Sequence, residues 1–264
     1  NPAAEPAADS PGGPPEGIGA SVSSPTAPPV IISETRGSSR APELEGPSEY
    51  ATIWLHRALP DPTPAARRLA PAFAAQLRAT ANRTGVAWDY ILAVVRARGA
   101  TGRVPATAAQ LDALAARLGL LRQTHDRWGA VYVLTGSRIV ADRTLALSRY
   151  NRAVGLQALV TGLEAAKSRL AARILTDGRI SVYASGRADL ASGRIDVRVL
   201  VLVRYLRVTF GQVTVSSLRT GHRFFARPGV PSAHVFGLAV DVSALNGVRV
   251  QGNQQEGGLV DRAV

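Results

Sequence analysis

The chain has 264 residues and a formal charge of +12, with no cysteine and no methionine. That length allows one large domain or two modest ones with a sizeable core. The missing cysteines exclude disulfides and thiolate metal sites, and no apolar run reaches the roughly 18 residues of a transmembrane helix.

Of the 31 basic residues only Lys167 is a lysine. Arginine in that proportion, with abundant Ala, Gly and Pro, reads as the composition of a GC-rich bacterial genome. The arginines are dispersed, form no run of five or six, and are not interleaved with aromatics, so no specific nucleic-acid partner is expected. The second reading of the charge is attraction to an anionic cell-wall polymer. No methionine stands at position 1, which leaves room for an export signal ahead of Asn1. Zero cysteine is compatible with export.

Residues 1–48 hold 10 of the 17 prolines and little that could build a core. They predict a disordered, Pro/Ala-rich acidic tail, either a spacer through a cell envelope or a plain low-complexity terminus. From Ala65 to Asn82 the pattern is helical, with Leu69, Phe73 and Leu77 on one stripe. Val86 to Arg96 predicts a second helix, almost wholly apolar from Tyr90 to Val95 and hence buried. Thr107 to Leu118 predicts a third, opened by Pro105 and a Thr107 cap and ended by Gly119.

This layout, with Trp88 opening the central helix, is similar to the lysozyme-like fold of lytic transglycosylases. Those enzymes require a glutamate at the end of such a helix as general acid. Here the helix ends Arg96-Ala-Arg-Gly99. The resemblance therefore implies a remnant or binding module without that activity, and a generic helical bundle is the plain alternative.

Residues 139–176 predict one or two more helices, Val140 to Tyr150 leading into Leu156 to Leu170. Arg179 to Tyr183 follows as a short strand. Gly186-Arg-Ala-Asp189 and Gly193-Arg-Ile-Asp196 form an internal echo, read as loops shaped by arginine–carboxylate pairing. Asp196 to Leu206 is rich in valine, yet Arg198, Arg204 and Arg207 share one side of a helical wheel. It predicts a helix packed on a sheet. Gln212 to Ser217 alternates cleanly as a strand.

The segment Ser232-Ala-His234-Val-Phe-Gly237-Leu-Ala239-Val-Asp241 carries the chemistry. A histidine and an aspartate seven residues apart would face opposite sides of a flat strand. They converge only if the chain bends between them, and Gly237 is the residue able to bend it. Asp241 then lies on a strand from Leu238 to Val242. Imidazole plus carboxylate suits a zinc site with three protein ligands. Two bonds of about 2 Å each to one ion put the ligating atoms about 3–4 Å apart.

The pattern Ser-x-His-x-x-Gly-x-Ala-x-Asp resembles the zinc-dependent D-alanyl-D-alanine carboxypeptidases and related peptidoglycan endopeptidases. The stretch Val213 to His222, then Arg227-Pro-Gly229, resembles the strand and loop leading into their site. The resemblance is specific over about residues 212–245 and looser back to Tyr150. It implies His234 and Asp241 as metal ligands, zinc as cofactor, and peptidoglycan stem peptides as substrate. It implies Arg219 as a grip on a substrate carboxylate or carbonyl, and Ser232 as a hydrogen-bonding support of the His234 loop. The family's third ligand is a later histidine, with a general-base carboxylate beside it. No histidine follows His234, and Glu256 to Val264 reads as the first turns of a helix, so the chain is expected to stop before that ligand. His222 is the nearest substitute.

The expectation is therefore an α+β protein with a disordered tail (1–48), a helical region (49–145) and a small antiparallel-sheet DD-peptidase-like domain (146–264), C-terminally incomplete. It would be secreted or cell-envelope associated and would hydrolyse peptidoglycan peptides through zinc-activated water once complete. The alternative is a non-catalytic wall-binding module on the same fold.

Overall fold

The computed structural model describes residues 51–55, 59–220, 224–227 and 229–253. The expected tail lies outside them. The class is α+β.

The described chain opens on strand β1 (Ala51–Trp54) and a 3-10 turn (Ala65–Arg67). Helices α1 (Pro71–Thr84), α2 (Trp88–Ala97), α3 (Ala108–Leu121), α4 (Arg127–Thr135) and α5 (Arg138–Val154) follow. Next come α6 (Leu156–Thr161), a second 3-10 turn (Glu164–Ala166), α7 (Lys167–Thr176) and β2 (Ile180–Val182). Helices α8 (Ala184–Ala191) and α9 (Val197–Phe210) then lead to β3 (Val213–Ser217), β4 (Phe225–Arg227) and β5 (Val230–Pro231). A third 3-10 turn (Ala233–Phe236), β6 (Ala239–Leu245) and β7 (Val248–Arg249) end it.

Helix α2 is buried from Asp89 to Val95 because it is apolar on nearly every face, and it lies along α5. Asp89, in its first turn, is the exception. Its carboxylate accepts from the Ser148 hydroxyl at 2.6 Å and from Arg152 at 3.3 Å, while Asn151 donates to its carbonyl. A buried charge is tolerable only with such partners.

Thr107 and Gln110 form a reciprocal capping box on α3. The helix does not stop at Gly119, as the sequence predicts, but runs on to Leu121. Gly119 keeps helical backbone and lies beside Val86, where a β-carbon would make ordinary van der Waals contact. Helix α4, which the sequence reading lacks, has Asp126 as N-cap and Gly136 as left-handed C-cap. The run from Val140 to Leu170 is interrupted by Gly155 and Gly162, both at positive φ, so α5, α6 and α7 are separate.

Helix α9 forms despite its valines because Val197, Val199, Leu200, Val203 and Leu206 all bury against neighbouring helices and the sheet. Tertiary burial outweighs β propensity here.

The main sheet runs β1-β6-β3-β2, with β7 also on β6. β1 and β3 are antiparallel to β6, and β2 is parallel to β3. β4 and β5 form a separate antiparallel pair. Two features cut across a split at residue 145: β1 adds an edge strand to the sheet, and α5 runs unbroken from 138 to 154. A single buried cluster takes in Leu92, Leu200, Val215 and Val242. Among the described residues no helix is long and apolar enough to cross a membrane.

Asp177, capping the end of α7, accepts from the Arg179 amide and pairs with Arg204 at 3.0 Å and Arg207 at 3.2 Å. Burial pushes its carboxyl up, but the amide and the guanidiniums outweigh it and hold it below the ordinary carboxylate value. The ionised form is thus the one the fold favours. Its contribution is complete above about pH 4, the unfolded carboxylate range, and is lost as pH falls through the lower folded value. Asp177→Asn should lower stability at neutral pH and flatten the loss below pH 4. Urea unfolding across that range reads both, and an equally steep acid limb in the variant would refute the assignment.

Candidate functional site

Asp241 sits in the middle of β6, opposite Thr52 of β1 on one side and Ser217 of β3 on the other. It is fully buried. Thr52 donates its hydroxyl to Oδ1 at 2.5 Å. His234 comes from the third 3-10 turn, 2% exposed, and its Nε2 lies 3.3 Å from the same Oδ1. That falls within the 3–4 Å that one shared ion requires.

The bend that joins them is at Gly237, with φ +72. Its amide donates to the His234 carbonyl at 2.8 Å, and the Leu238 amide reaches the Ala233 carbonyl at 3.0 Å, closing the turn. A β-carbon at 237 would stand 2.1 Å from the Arg194 carbonyl oxygen. The Asp196 amide donates to the Gly237 carbonyl at 2.9 Å. The turn is therefore seated on the loop between α8 and α9, which leaves no room for any side chain there.

The His234 ring is oriented from behind: Nδ1 meets the Leu218 carbonyl. A carbonyl only accepts, so Nδ1 carries the proton and Nε2 presents its lone pair in the neutral ring. Nε2 and Oδ1 are then two acceptors facing each other at 3.3 Å. With the ring protonated the two form an ion pair, and donor atoms at this separation also suit a shared cation. This is the arrangement in which a ligating histidine is held by its other nitrogen.

These two residues fit two corners of a zinc site in donor type and separation. Among the described residues no group of three or more His, Cys, Asp or Glu could hold a metal. His222 and His56 lie outside the described residues, as do 254–264. His125 is exposed near α4, bonded to Thr124.

Ser232 is buried, but it steadies the turn through its main chain: its amide donates to the Phe224 carbonyl at 2.8 Å, and its carbonyl accepts from Val235. Its hydroxyl has no hydrogen-bond partner among the described residues. Arg219 is half-buried and donates Nε to the Val235 carbonyl at 2.9 Å, bracing the same turn. Its terminal amino groups make no hydrogen bond among the described residues.

Three contributors escaped the sequence reading: Thr52, Leu218 and Asp189. The echo containing Asp189 also differs from expectation. Gly186 and Asp189 lie in α8 rather than in a loop, and Asp189 accepts from the Arg219 and Thr220 amides and the Thr220 and Tyr183 hydroxyls. Arg187 turns instead to the Leu175 carbonyl. Asp196 caps α9 and pairs with Arg198.

Compared with protein-family models, with curated proteins and with solved structures, the chain finds no match.

Gly85 and Gly237 have nearly the same left-handed backbone, φ +70 and +72, but a β-carbon at Gly85 meets open space. Gly85→Ala should cost about 1 kcal/mol from backbone strain. Gly237→Ala should cost about 2 kcal/mol more, because the Arg194 backbone must move. Urea denaturation of the two variants gives the comparison. Equal losses would mean that the α8–α9 loop yields freely and does not brace the turn.

Proposed function

We propose that the chain carries the metal-binding core of a secreted or envelope-associated, zinc-dependent peptidase acting on peptidoglycan stem peptides. The observation that supports this reading is the buried pair itself: His234 Nε2 at 3.3 Å from Asp241 Oδ1, with Nδ1 turned to the Leu218 carbonyl. In this reading His234 and Asp241 hold zinc. Zinc, when bound, supplies Lewis acidity, polarising a peptide carbonyl and bringing water toward ionisation near neutral pH.

The chain's own residues do the rest. Thr52 and the β6 pairing fix the carboxylate, and Gly237 and the α8–α9 loop fix the turn. Arg219 has its Nε on the turn and two amino groups left to meet a substrate carboxylate in bidentate fashion. The buried Ser232 hydroxyl adds a donor two residues from His234.

A second reading, a wall-binding module without catalysis, draws on a separate observation. His234 and Asp241 are 2% and 0% exposed, and the described residues supply neither a third donor nor a general-base carboxylate beside them.

Zinc titration by competition with a chromophoric chelator tests the first reading. His234→Ala and Asp241→Asn should each weaken binding by at least about tenfold, since each removes a ligand. His222→Ala decides whether that residue is the third donor. In the protein with its natural flanking sequence, stem-peptide hydrolysis should disappear with His234→Ala and with chelation. Unchanged zinc affinity in both ligand variants, or chelator-resistant hydrolysis, would overturn the proposal. Loss of zinc binding without any hydrolysis in the parent would leave the binding module in front.

A further inference from the structure

We infer that Asp189 is a positioning residue for His234, acting through the single peptide group that joins Leu218 to Arg219. The functional consequence rests on the zinc-site reading; the positioning itself does not.

The carbonyl that meets His234 Nδ1 belongs to Leu218, which lies just beyond the end of β3 and so outside the ladder that holds that strand. Something else must fix it. The Arg219 amide donates to Asp189 Oδ2 at 3.0 Å. That N–H and the Leu218 C=O are the two ends of one trans peptide plane, so they point in opposite directions. Anchoring the N–H on Asp189 aims the C=O away from α8 and onto the imidazole. The carboxylate also strengthens the carbonyl as an acceptor, because hydrogen bonds in series polarise one another. The relay reads carboxylate, peptide, imidazole.

The rest of the surroundings serve the same segment. Thr220 gives Asp189 its amide at 2.7 Å and its hydroxyl at 2.6 Å. The Tyr183 hydroxyl accepts from the Leu218 amide at 2.7 Å and lies 3.3 Å from Asp189 Oδ2. Three consecutive amides, 218 to 220, are thus taken by one Tyr–Asp pair. The Tyr183 ring lies so close to α8 that a β-carbon at Gly186 would be 2.3 Å from it. Burial pushes the Asp189 carboxyl up, but the Thr220 and Arg219 donors bring it below the ordinary value, so the carboxylate is the form held. No guanidinium pairs with it among the described residues. Its charge is therefore met by two backbone amides and two hydroxyls.

The second half of the echo completes the hold from the other side. Arg194 and Asp196 seat Gly237, the end of the turn that carries His234. One copy of Gly-Arg-x-Asp sets the acceptor for the ring, and the other sets the backbone that delivers the ring.

The test uses protein labelled with ¹⁵N at its four histidines. The parent should show His234, assigned by loss of its signal in His234→Ala, as the Nδ1–H tautomer with a slowly exchanging ring proton. Asp189→Asn presents an NH₂ where amide donors converge, and should release that proton to fast exchange and mix the tautomers. It should also weaken zinc binding about tenfold, the lower end for loss of an outer-shell support. Leu111→Ala, a core truncation on α3, which packs on α1, α2 and α4, should lower stability and leave the His234 signal and zinc affinity as they are. An unaltered His234 tautomer and exchange rate in Asp189→Asn overturns the inference. If that variant does not fold, Tyr183→Phe decides, because loss of one hydroxyl from the clamp should speed the same exchange, and an unchanged rate overturns it. The NMR arm stands even where no variant alters zinc affinity, so the metal reading and the positioning role fail separately.

Discussion

Strand β6 is bonded along both edges at the point where it carries Asp241, with Thr52 opposite on one side and Ser217 on the other. That double pairing puts a carboxylate with no solvent exposure at the centre of the sheet. A charge in such a place costs several kcal/mol unless donors or a cation meet it. The constraint propagates outward. The Thr52 hydroxyl must face inward from β1, and His234 must return to the sheet within seven residues. Its ring must arrive with the correct nitrogen forward. The left-handed Gly237, the seat at Arg194 and the carbonyl of Leu218 each answer one of those requirements.

Three buried aspartates show how one side chain serves different ends according to its donors. Asp89 is met by Ser148 and by the Arg152 and Arg127 guanidiniums, which neutralise it and tie α2 to its neighbours. Asp189 is met by two hydroxyls and by two amides, whose direction the peptide plane fixes, so it aims backbone rather than cancelling charge. Asp241 Oδ1, among the described residues, is met by the Thr52 hydroxyl and the His234 imidazole. Of the donors described for the three, the imidazole is the one of a type that commonly ligates metals. Burial, which all three share, does not distinguish them; their described donors do.

The helical part is tied to the site by contact. Helix α9 packs on α5 and α7 on one side and on β3 and β6 on the other. Its N-terminal residue neighbours the Asp196 amide that grips Gly237. Displacement of α9 would therefore be felt at the turn carrying His234. The ion pairs from Arg204 and Arg207 to Asp177 fix the far half of that helix.

What the sequence determined alone is the part written in local pattern. The unbroken apolar run made α2 a buried helix, and the arginines at 198, 204 and 207, on one side of a helical wheel, pointed to α9, although burial against its neighbours is what holds that helix. Alternation marked β3, and the spacing of His234, Gly237 and Asp241 required a bend at the one residue without a β-carbon. What only the tertiary structure decided are the partners far along the chain. β1 is four residues long and becomes a strand only by pairing with β6, so Thr52 reaches Asp241 across 189 residues. Asp189 looked like a partner for nearby arginines until α8 turned it toward 219 and 220, thirty residues on. The run of α3 through Gly119 to Leu121 was decided there too, as were the breaks at Gly155 and Gly162, where the backbone turns to positive φ. Periodicity records which face of an element is apolar, because that is a local property. Which donor meets a given acceptor depends on the whole sheet closing, and no window of the chain contains that information.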